Sequence, residues 1–299
     1  RLAYRVFEEV GQDARVVLDD EGKNLVLRKI AGECEKDLKV FKGNLKKQGY
    51  ISEVKSVLSE FAQYGVDFER LDDFMKEVPP ESYLHYKLDD IRTIYEKFEE
   101  YLSEKYITKE EMLDVLSDAV PYSDILKGSV VAMDGFTGFT PVQNRLIGEL
   151  FSVCEKVMIT VTMDGRENPY VYEHPYQIFA LGKQMVTSLM KIAGEKKTEI
   201  EEPICLFERP VYRFRDCSEM AFLETELFRY SGAKYNGSCE SVSLHEVRSP
   251  GKEAKYVAES IRRLVRKKGY RYRDIAVIAS DMNVYEKKKK KACASFDIP

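Results

Sequence analysis

The stretch from residue 129 to residue 143 constrains the fold more than any other part of the chain. Its four apolar residues, 130–133, are bounded by a glycine before them and by the pair Asp134-Gly135 after them. A short apolar run between turn residues is typical of a strand buried on both faces, as in a parallel sheet. Thr140 and the proline after it then predict the N-cap and first turn of a helix over 142–151. We therefore expect an α/β unit whose strand ends in an acidic residue.

An aspartate at the end of such a strand is the Walker B arrangement, in which the carboxylate holds Mg²⁺ on a nucleotide. ATP hydrolysis also needs a residue that orients or activates the attacking water. The next position is Gly135, which has no side chain. No GxxxxGK[ST] segment, which would bind phosphates through backbone N–H groups and a lysine, occurs in the chain. We therefore interpret Asp134 and Gly135 as a degenerate Walker B close to a nucleotide and Mg²⁺, without a catalytic residue. The alternative is that Asp134 only caps the following turn.

Composition excludes several classes of protein. The formal net charge of the 299 residues is −4, so any contact with nucleic acid must be a local site and not a global basic field. No apolar run approaches the roughly 18 residues of a membrane span, and no signal peptide is visible. The six cysteines form no CxxC pair and the three histidines are isolated, so we predict reduced thiols and no metal site. A cytoplasmic protein without a membrane partner is expected.

A helical pattern dominates residues 20–120. Thr108 and Glu111 form a capping box that predicts the start of one of these helices. The acidic pairs at 72–73 and 89–90 fall on predicted helices, and we interpret them as surface groups. The block is expected to be helical almost throughout.

The pattern after residue 120 returns to α/β. Strands are predicted over 130–133 and 157–163, with one helix between them as a crossover connection. A second β-α-β unit is predicted from a strand over 242–247, a helix over 251–268 and a strand over 275–279. The run Lys287–Lys291 has two interpretations, contact with DNA phosphates or a solvated helix face, and we favour the second.

Three segments together resemble a known family. They are RLAYRVFEEVG (1–11), VVAMDGFTGFTPVQ (130–143) and GYRYRDIAVIASDMNVYE (269–286), and they occur in the family's order at roughly its spacing. On them the chain is identified as a member of the AddB/RexB family, the B subunit of the AddAB ATP-dependent helicase–nuclease. The resemblance covers the front of that protein and not the nuclease domain at its far C-terminus.

The resemblance implies a fold. It is a P-loop, RecA-like parallel sheet of the superfamily 1 helicase type, with a large all-helical insertion and the start of a second RecA-like domain. The implied limits are 1–19 for the first helicase-like part, 20–120 for the insertion, 121–165 for the return to the first sheet, 166–241 for a connection and 242–299 for the second domain.

The resemblance also implies a function. In helicases of the UvrD-like class a glutamate follows the Walker B aspartate, and Gly135 stands in its place here. The family's inactive helicase site recognises the Chi sequence in single-stranded DNA, and the positions matching its DNA contacts are Arg1, Tyr4 and Phe136. Residues 1–299 are expected to lack ATPase and nuclease activity and to need no cofactor, whereas the whole family uses ATP, Mg²⁺ and a 4Fe–4S cluster. The implied partners are an AddA-type motor and nuclease subunit and single- and double-stranded DNA, in double-strand break repair by homologous recombination.

Three alternatives stay open on the residues alone. Phe136 sits beside a glycine at the mouth of the predicted sheet, where it suits a base-stacking platform, but it could instead pack under the helix that begins after Thr140. The chain could be an active superfamily 1 ATPase, which Gly135 disfavours. It could also be a helical protein-interaction module without any role at nucleic acid.

Overall fold

A computed structural model describes residues 1–11, 15–44, 47–102, 106–207, 211–229 and 231–299. The chain divides into two compact units, residues 1–206 and residues 207–299. Within the described residues the α-helices are α1 (Leu2–Val10), α2 (Asp20–Glu33), α3 (Gln48–Tyr64), α4 (Phe68–Glu77), α5 (Tyr83–Leu102), α6 (Glu111–Ala119), α7 (Pro141–Val153), α8 (Ala180–Lys196), α9 (Ser218–Glu226), α10 (Pro250–Lys268) and α11 (Met282–Ser295).

The strands of the described residues form two parallel pairs in the first unit. They are β1 (Val16–Val17), β2 (Tyr106–Ile107), β3 (Val130–Met133) and β4 (Lys156–Ile159). β1 pairs with β2, and β3 pairs with β4 in the register Val131 to Val157. Helix α7 connects β3 to β4, so the predicted crossover is confirmed, although the second strand ends at Ile159 instead of at residue 163.

Helices α2 to α5 enclose one apolar core. Its fully buried side chains include Leu27, Ile30, Ile51, Leu71 and Ile94. Two helices of this group begin at aspartate N-caps: Asp19 accepts a hydrogen bond from Gly22 N, and Asp67 from Arg70 N. The caps satisfy backbone donors that a helix start otherwise leaves open. The short β1–β2 pair brings together the segment directly before α2 and the segment directly after α5.

Asp90 corrects the interpretation of the acidic pairs as surface groups. Its side chain is 1% exposed and accepts hydrogen bonds from the backbone N–H groups of Lys39, Val40 and Phe41 at 2.8, 2.7 and 2.8 Å. The neighbouring Asp89 stays at the surface, where it pairs with the Lys39 ammonium at 2.9 Å. One carboxylate of the pair therefore fixes the segment before α3 onto α5.

A second core surrounds the β3–β4 pair. Helix α1 buries Ala3, Val6 and Phe7 in it, together with Leu150 of α7 and the partly buried Met133 of β3. Helix α1 thus packs beside the sheet and not against the middle of the helical block. Helix α6 also packs here, against α1 and α7. The five predicted domain limits stay a prediction.

Strand β3 is not buried on both faces, contrary to the sequence-based prediction. Alternate side chains of a strand point to opposite faces. Val131 and Met133 are partly buried, with Met133 packed against the second core, while Val130 is 55% exposed. Within the described residues this sheet has two strands, and its other face carries no covering layer. The architecture is thus α/β, mostly helical, with small parallel sheets; a RecA-like P-loop fold stays a prediction.

In the second unit, the predicted helix is present but the two predicted strands are not. Residues 242–247 and 275–279 have no strand assignment, and Leu244 and Ile278 within them are 99% and 94% exposed. Apolar composition predicted strands, but a strand also needs a neighbour to pair with its backbone. Tyr285 donates a hydrogen bond to Glu253 at 2.6 Å and the guanidinium of Arg262 lies over Phe296, so α10 and α11 run parallel.

Candidate functional site

The carboxylate of Asp134 is tied to the end of the neighbouring strand. The hydroxyl of Thr160 donates a hydrogen bond to Asp134 Oδ1, and Thr160 Oγ1 accepts one from Gly135 N at 3.4 Å. Thr160 N also donates to Met133 O at 3.0 Å. These bonds join the carboxyl ends of β3 and β4, which is the edge where open α/β sheets bind ligands. Asp134 is exposed there.

Gly135 has a backbone conformation that suits glycine. Its φ is +81°, and a Cβ placed on it would have no neighbour within 4 Å. The obstacle to a side chain is therefore the backbone conformation and not lack of space, because residues with a Cβ rarely adopt a positive φ. A glutamate directly after Asp134 is disfavoured by the geometry of this turn.

Phe136 is open to solvent over 42% of its surface. Its ring contacts the ring of Phe139, with centroids 5.0 Å apart and planes inclined by 34°. It is not packed under α7 as the alternative interpretation required. Helix α7 begins instead at a complete capping box: Thr140 N donates to Gln143 Oε1 at 2.9 Å, and Gln143 N donates to Thr140 Oγ1 at 3.4 Å. The loop that carries Phe136 is held between β3 and this cap.

Tyr4 lies on the outer side of α1, and Arg1 lies directly before the helix as its N-cap residue. Both are exposed, whereas Ala3, Val6 and Phe7 face the core that includes Met133. Arg1 is the N-cap residue and precedes the first helical residue, Leu2, so the projection of Arg1 and Tyr4 to one side of the helix stays a prediction. Between these two residues and Phe136 the described part of the chain shows no ring stacking or cation–π contact. Their joint use as one site stays a prediction.

The metal cofactors that the family resemblance implies have no grouped ligands among the described residues. Within them no group of three or more His, Cys, Asp or Glu side chains could hold a metal ion. The six cysteines are free and dispersed, from the buried Cys34 to the exposed Cys239. Asp134 contributes one carboxylate, which Thr160 already engages. None of the described helices is long and apolar enough to cross a membrane.

Sequence reasoning missed a group of buried charges between α2, α3 and α5. Lys23 Nζ lies 2.7 Å from Glu110 Oε2, with the two side chains 3% and 14% exposed. Burial opposes ionisation of Glu110, but the hydrogen bond from Lys23 holds the pKa of that carboxyl below its ordinary value. Beside them, burial and the neighbouring Glu111 raise the pKa of Glu99 to about 7. The pairs join residues far apart in the chain, so no local pattern signals them.

Comparisons with known proteins agree on one family. The family model described as ADDB, N-terminal matches residues 1–224. The chain is similar to the B subunit of the ATP-dependent helicase/deoxyribonuclease of Lachnoclostridium phytofermentans, with 38% identity over 95% of the chain and 25% of the relative. It is 35% identical to the protein of that name from Thermoanaerobacter sp. and 32% to that from Clostridium acetobutylicum, over 100% of the chain and 26% of each relative. The chain thus spans about a quarter of the length of these curated relatives.

Proposed function

Because the chain belongs to the AddB family and matches its N-terminal region, we propose that residues 1–299 form a helicase-like part of an AddB protein that binds single-stranded DNA without hydrolysing ATP. In this proposal the part recognises Chi while an AddA-type subunit supplies the motor, during repair of double-strand breaks by homologous recombination in the cytoplasm. The exposed ring of Phe136 at the carboxyl edge of the β3–β4 sheet is the observation that carries the proposal.

Support for the missing hydrolysis comes from Asp134 and Gly135. A side chain that activates water is absent at Gly135, and its φ of +81° opposes one. Asp134 accepts a hydrogen bond from Thr160 and so serves the contact between strand ends. In the proposal, this part of the protein recognises the sequence of the bound DNA strand and does not translocate the strand.

Support for DNA binding comes from the chemistry of an exposed aromatic ring. Stacking of an unpaired base on such a ring contributes on the order of 1–3 kcal/mol and tolerates any base. Phe139 supports the Phe136 ring from the side that leads into α7. In the proposal, Tyr4 adds a second ring from α1 and Arg1 a phosphate or base-edge contact.

The test is the affinity of the purified chain for a labelled single-stranded oligonucleotide, measured by fluorescence anisotropy at low and high salt. Phe136→Ala should weaken binding by about 5- to 150-fold, with little change in the salt dependence, because stacking and not counterion release is removed. Phe136→Tyr should restore most of the affinity. The matched control is Phe74→Ala, which removes an exposed ring on α4 and should leave binding unchanged. Equal loss of affinity in both alanine variants would contradict the site.

Within the whole helicase–nuclease, Phe136→Ala should reduce the response to Chi while unwinding by the partner motor stays near its normal rate. The active-ATPase alternative predicts DNA-stimulated turnover that Asp134→Asn abolishes. The interaction-module alternative predicts no binding of single strands even at low salt.

A further inference from the structure

Positive charge is concentrated in the second unit. Residues 207–299 hold 20 lysines and arginines against 13 aspartates and glutamates, whereas residues 1–206 hold 27 against 38. The excess lies in the last 50 residues, which hold 14 basic side chains against 6 acidic ones. A chain with a formal net charge of −4 therefore carries a strongly basic region, which calls for a polyanionic partner.

Helix α10 arranges part of this charge on one face. Its buried side, toward α11, carries Ala254, Ala258 and Ile261. The opposite side carries five exposed basic residues, which we call the α10 basic stripe: Lys252, Lys255, Arg263, Arg266 and Lys267. At 1.5 Å per residue the stripe is about 22 Å long.

Most of the stripe is not neutralised by the protein itself. Lys255 lies 3.8 Å from Glu259. In the described part of the chain the other four members have no ion pair. An exposed ion pair within a helix changes stability little. The helix could therefore carry a carboxylate beside each cation at little cost in stability. The exposed Glu259 lies on the same face, but in the described part of the chain neither Arg263 nor Arg266 pairs with a carboxylate, so both guanidinium groups are open to a ligand.

Helix stability alone does not explain the stripe. Basic residues in the last turn interact favourably with the helix dipole, which accounts for Arg266 and Lys267. Arg263 precedes that turn, and Lys252 lies in the first turn, where the dipole disfavours a cation.

The lysines of α11 differ in arrangement. Lys287–Lys291 are consecutive, so successive side chains are about 100° apart and surround the helix. Lys290 pairs with Glu286 at 2.7 Å, and Lys288 donates to Val284 O at 2.7 Å. These lysines provide a matched set of charges outside the α10 basic stripe.

We propose that the α10 basic stripe binds the phosphate backbone of duplex DNA. The stripe offers cations with no exposed ring between them, since Tyr256 on this helix is half-buried against His245. Its chemistry fits phosphates and not unpaired bases. A duplex presents one negative charge per about 1.7 Å on a rigid surface, which suits a straight row of cations. The surface belongs to the second unit and does not depend on the Phe136 site.

The test compares two double variants of the chain in binding a labelled 20-base-pair duplex across a range of NaCl concentrations. Arg263→Gln/Arg266→Gln removes two charges from the stripe, and Lys287→Gln/Lys291→Gln removes two from α11. Removal of one lysine or arginine that binds a phosphate reduces the salt slope by about 1. The stripe variant should flatten the slope by about 2 and weaken binding about tenfold or more at low salt, whereas the α11 variant should change the slope by less than 1. Arg263→Lys/Arg266→Lys should retain most of the slope.

Three results would overturn the proposal. They are no duplex binding at low salt, equal losses of affinity in the two glutamine variants, and a loss for a 20-nucleotide single strand as large as the loss for the duplex. Phe136→Ala should leave duplex binding unchanged, so failure of the single-strand site and failure of the stripe are separate outcomes. All substituted positions are exposed on helices and glutamine is a good helix former, so circular dichroism should show unchanged helix content.

Discussion

The hydroxyl of Thr160 donates a hydrogen bond to the carboxylate of Asp134 and so joins the ends of two adjacent parallel strands. The two residues are separated by a whole crossover helix in sequence. The aspartate of the Walker B pattern therefore has a structural contact in this chain. The conformation of the following turn, at Gly135, determines which side chains the site can carry next to Asp134.

Substitution of Gly135 should destabilise the chain without creating activity. A residue with a Cβ at a φ of +81° costs on the order of 1–2 kcal/mol, so Gly135→Ala and Gly135→Glu should both lower the free energy of unfolding by about that amount in urea. Gly138→Ala is the control, because Gly138 is exposed, has a negative or extended φ and has open space around it; its effect should stay within about 0.5 kcal/mol. DNA-stimulated ATPase activity in Gly135→Glu would contradict the proposal that this part of the protein does not hydrolyse ATP.

Asp90 and Asp89 should differ sharply on substitution. Asp90→Ala leaves three N–H groups without their acceptor, of which that of Phe41 is buried and those of Lys39 and Val40 are partly buried, and an unsatisfied buried group costs about 1–3 kcal/mol. We expect a loss of at least about 3 kcal/mol, measured by chemical denaturation. Asp89→Ala removes an exposed pair with Lys39 and should cost less than about 1 kcal/mol. Similar losses for the two variants would show that the backbone contacts of Asp90 contribute little.

Local patterns were sufficient where structure is determined within a few residues. The capping boxes at Thr108 and Thr140 are present, because a cap depends on side chains three positions apart. The strand β3 and the crossover helix α7 follow from the same short-range signals. The exposed position of Phe136 was one of two interpretations, since a ring beside a glycine is equally compatible with burial.

Patterns failed where structure depends on distant residues. The burial of Asp90 requires a segment about 50 positions earlier in the chain, and the Lys23–Glu110 pair joins residues 87 apart. Residues 242–247 have strand-like composition but no pairing in the described chain, since pairing is a property of two segments. The prediction that β3 is buried on both faces failed for the same reason. Burial of a strand depends on other elements that pack on the sheet, and the sequence of the strand itself does not specify them.

The buried pair of Lys23 and Glu110 should show strong coupling. Removal of one partner leaves an unpaired buried charge, so Lys23→Met or Glu110→Gln should each lower the free energy of unfolding by about 3–5 kcal/mol. Lys23→Met combined with Glu110→Leu should recover much of that loss. Lys127→Met, which breaks an exposed pair with Asp124, should cost less than about 1 kcal/mol. Additive losses in the Lys23 and Glu110 double variant would contradict the coupling.

Glu99 should make the chain less stable as the pH rises toward neutrality. Burial and the adjacent Glu111 raise the pKa of Glu99 from 4.5 to about 7. Glu111 accepts a hydrogen bond from Thr108 N at 2.7 Å, and burial together with the neighbouring Glu111 favours the protonated form of Glu99. Between about pH 4.5 and pH 7 the folded chain thus binds more protons at this site than the unfolded chain, so the free energy of unfolding falls with rising pH, by about 1–3 kcal/mol across that window.

Glu99→Gln keeps a neutral donor beside Glu111 and should remove this fall in the free energy of unfolding, measured by urea denaturation at pH 5, 6, 7 and 8. Glu96→Gln, at an exposed position on the same helix, should retain the fall. The effect is distinct from that of Glu110, whose lowered pKa removes stability only as the pH falls below the ordinary range of a glutamate. A pH profile in Glu99→Gln identical to that of the unsubstituted chain would show that the carboxyl is ionised in the folded state throughout.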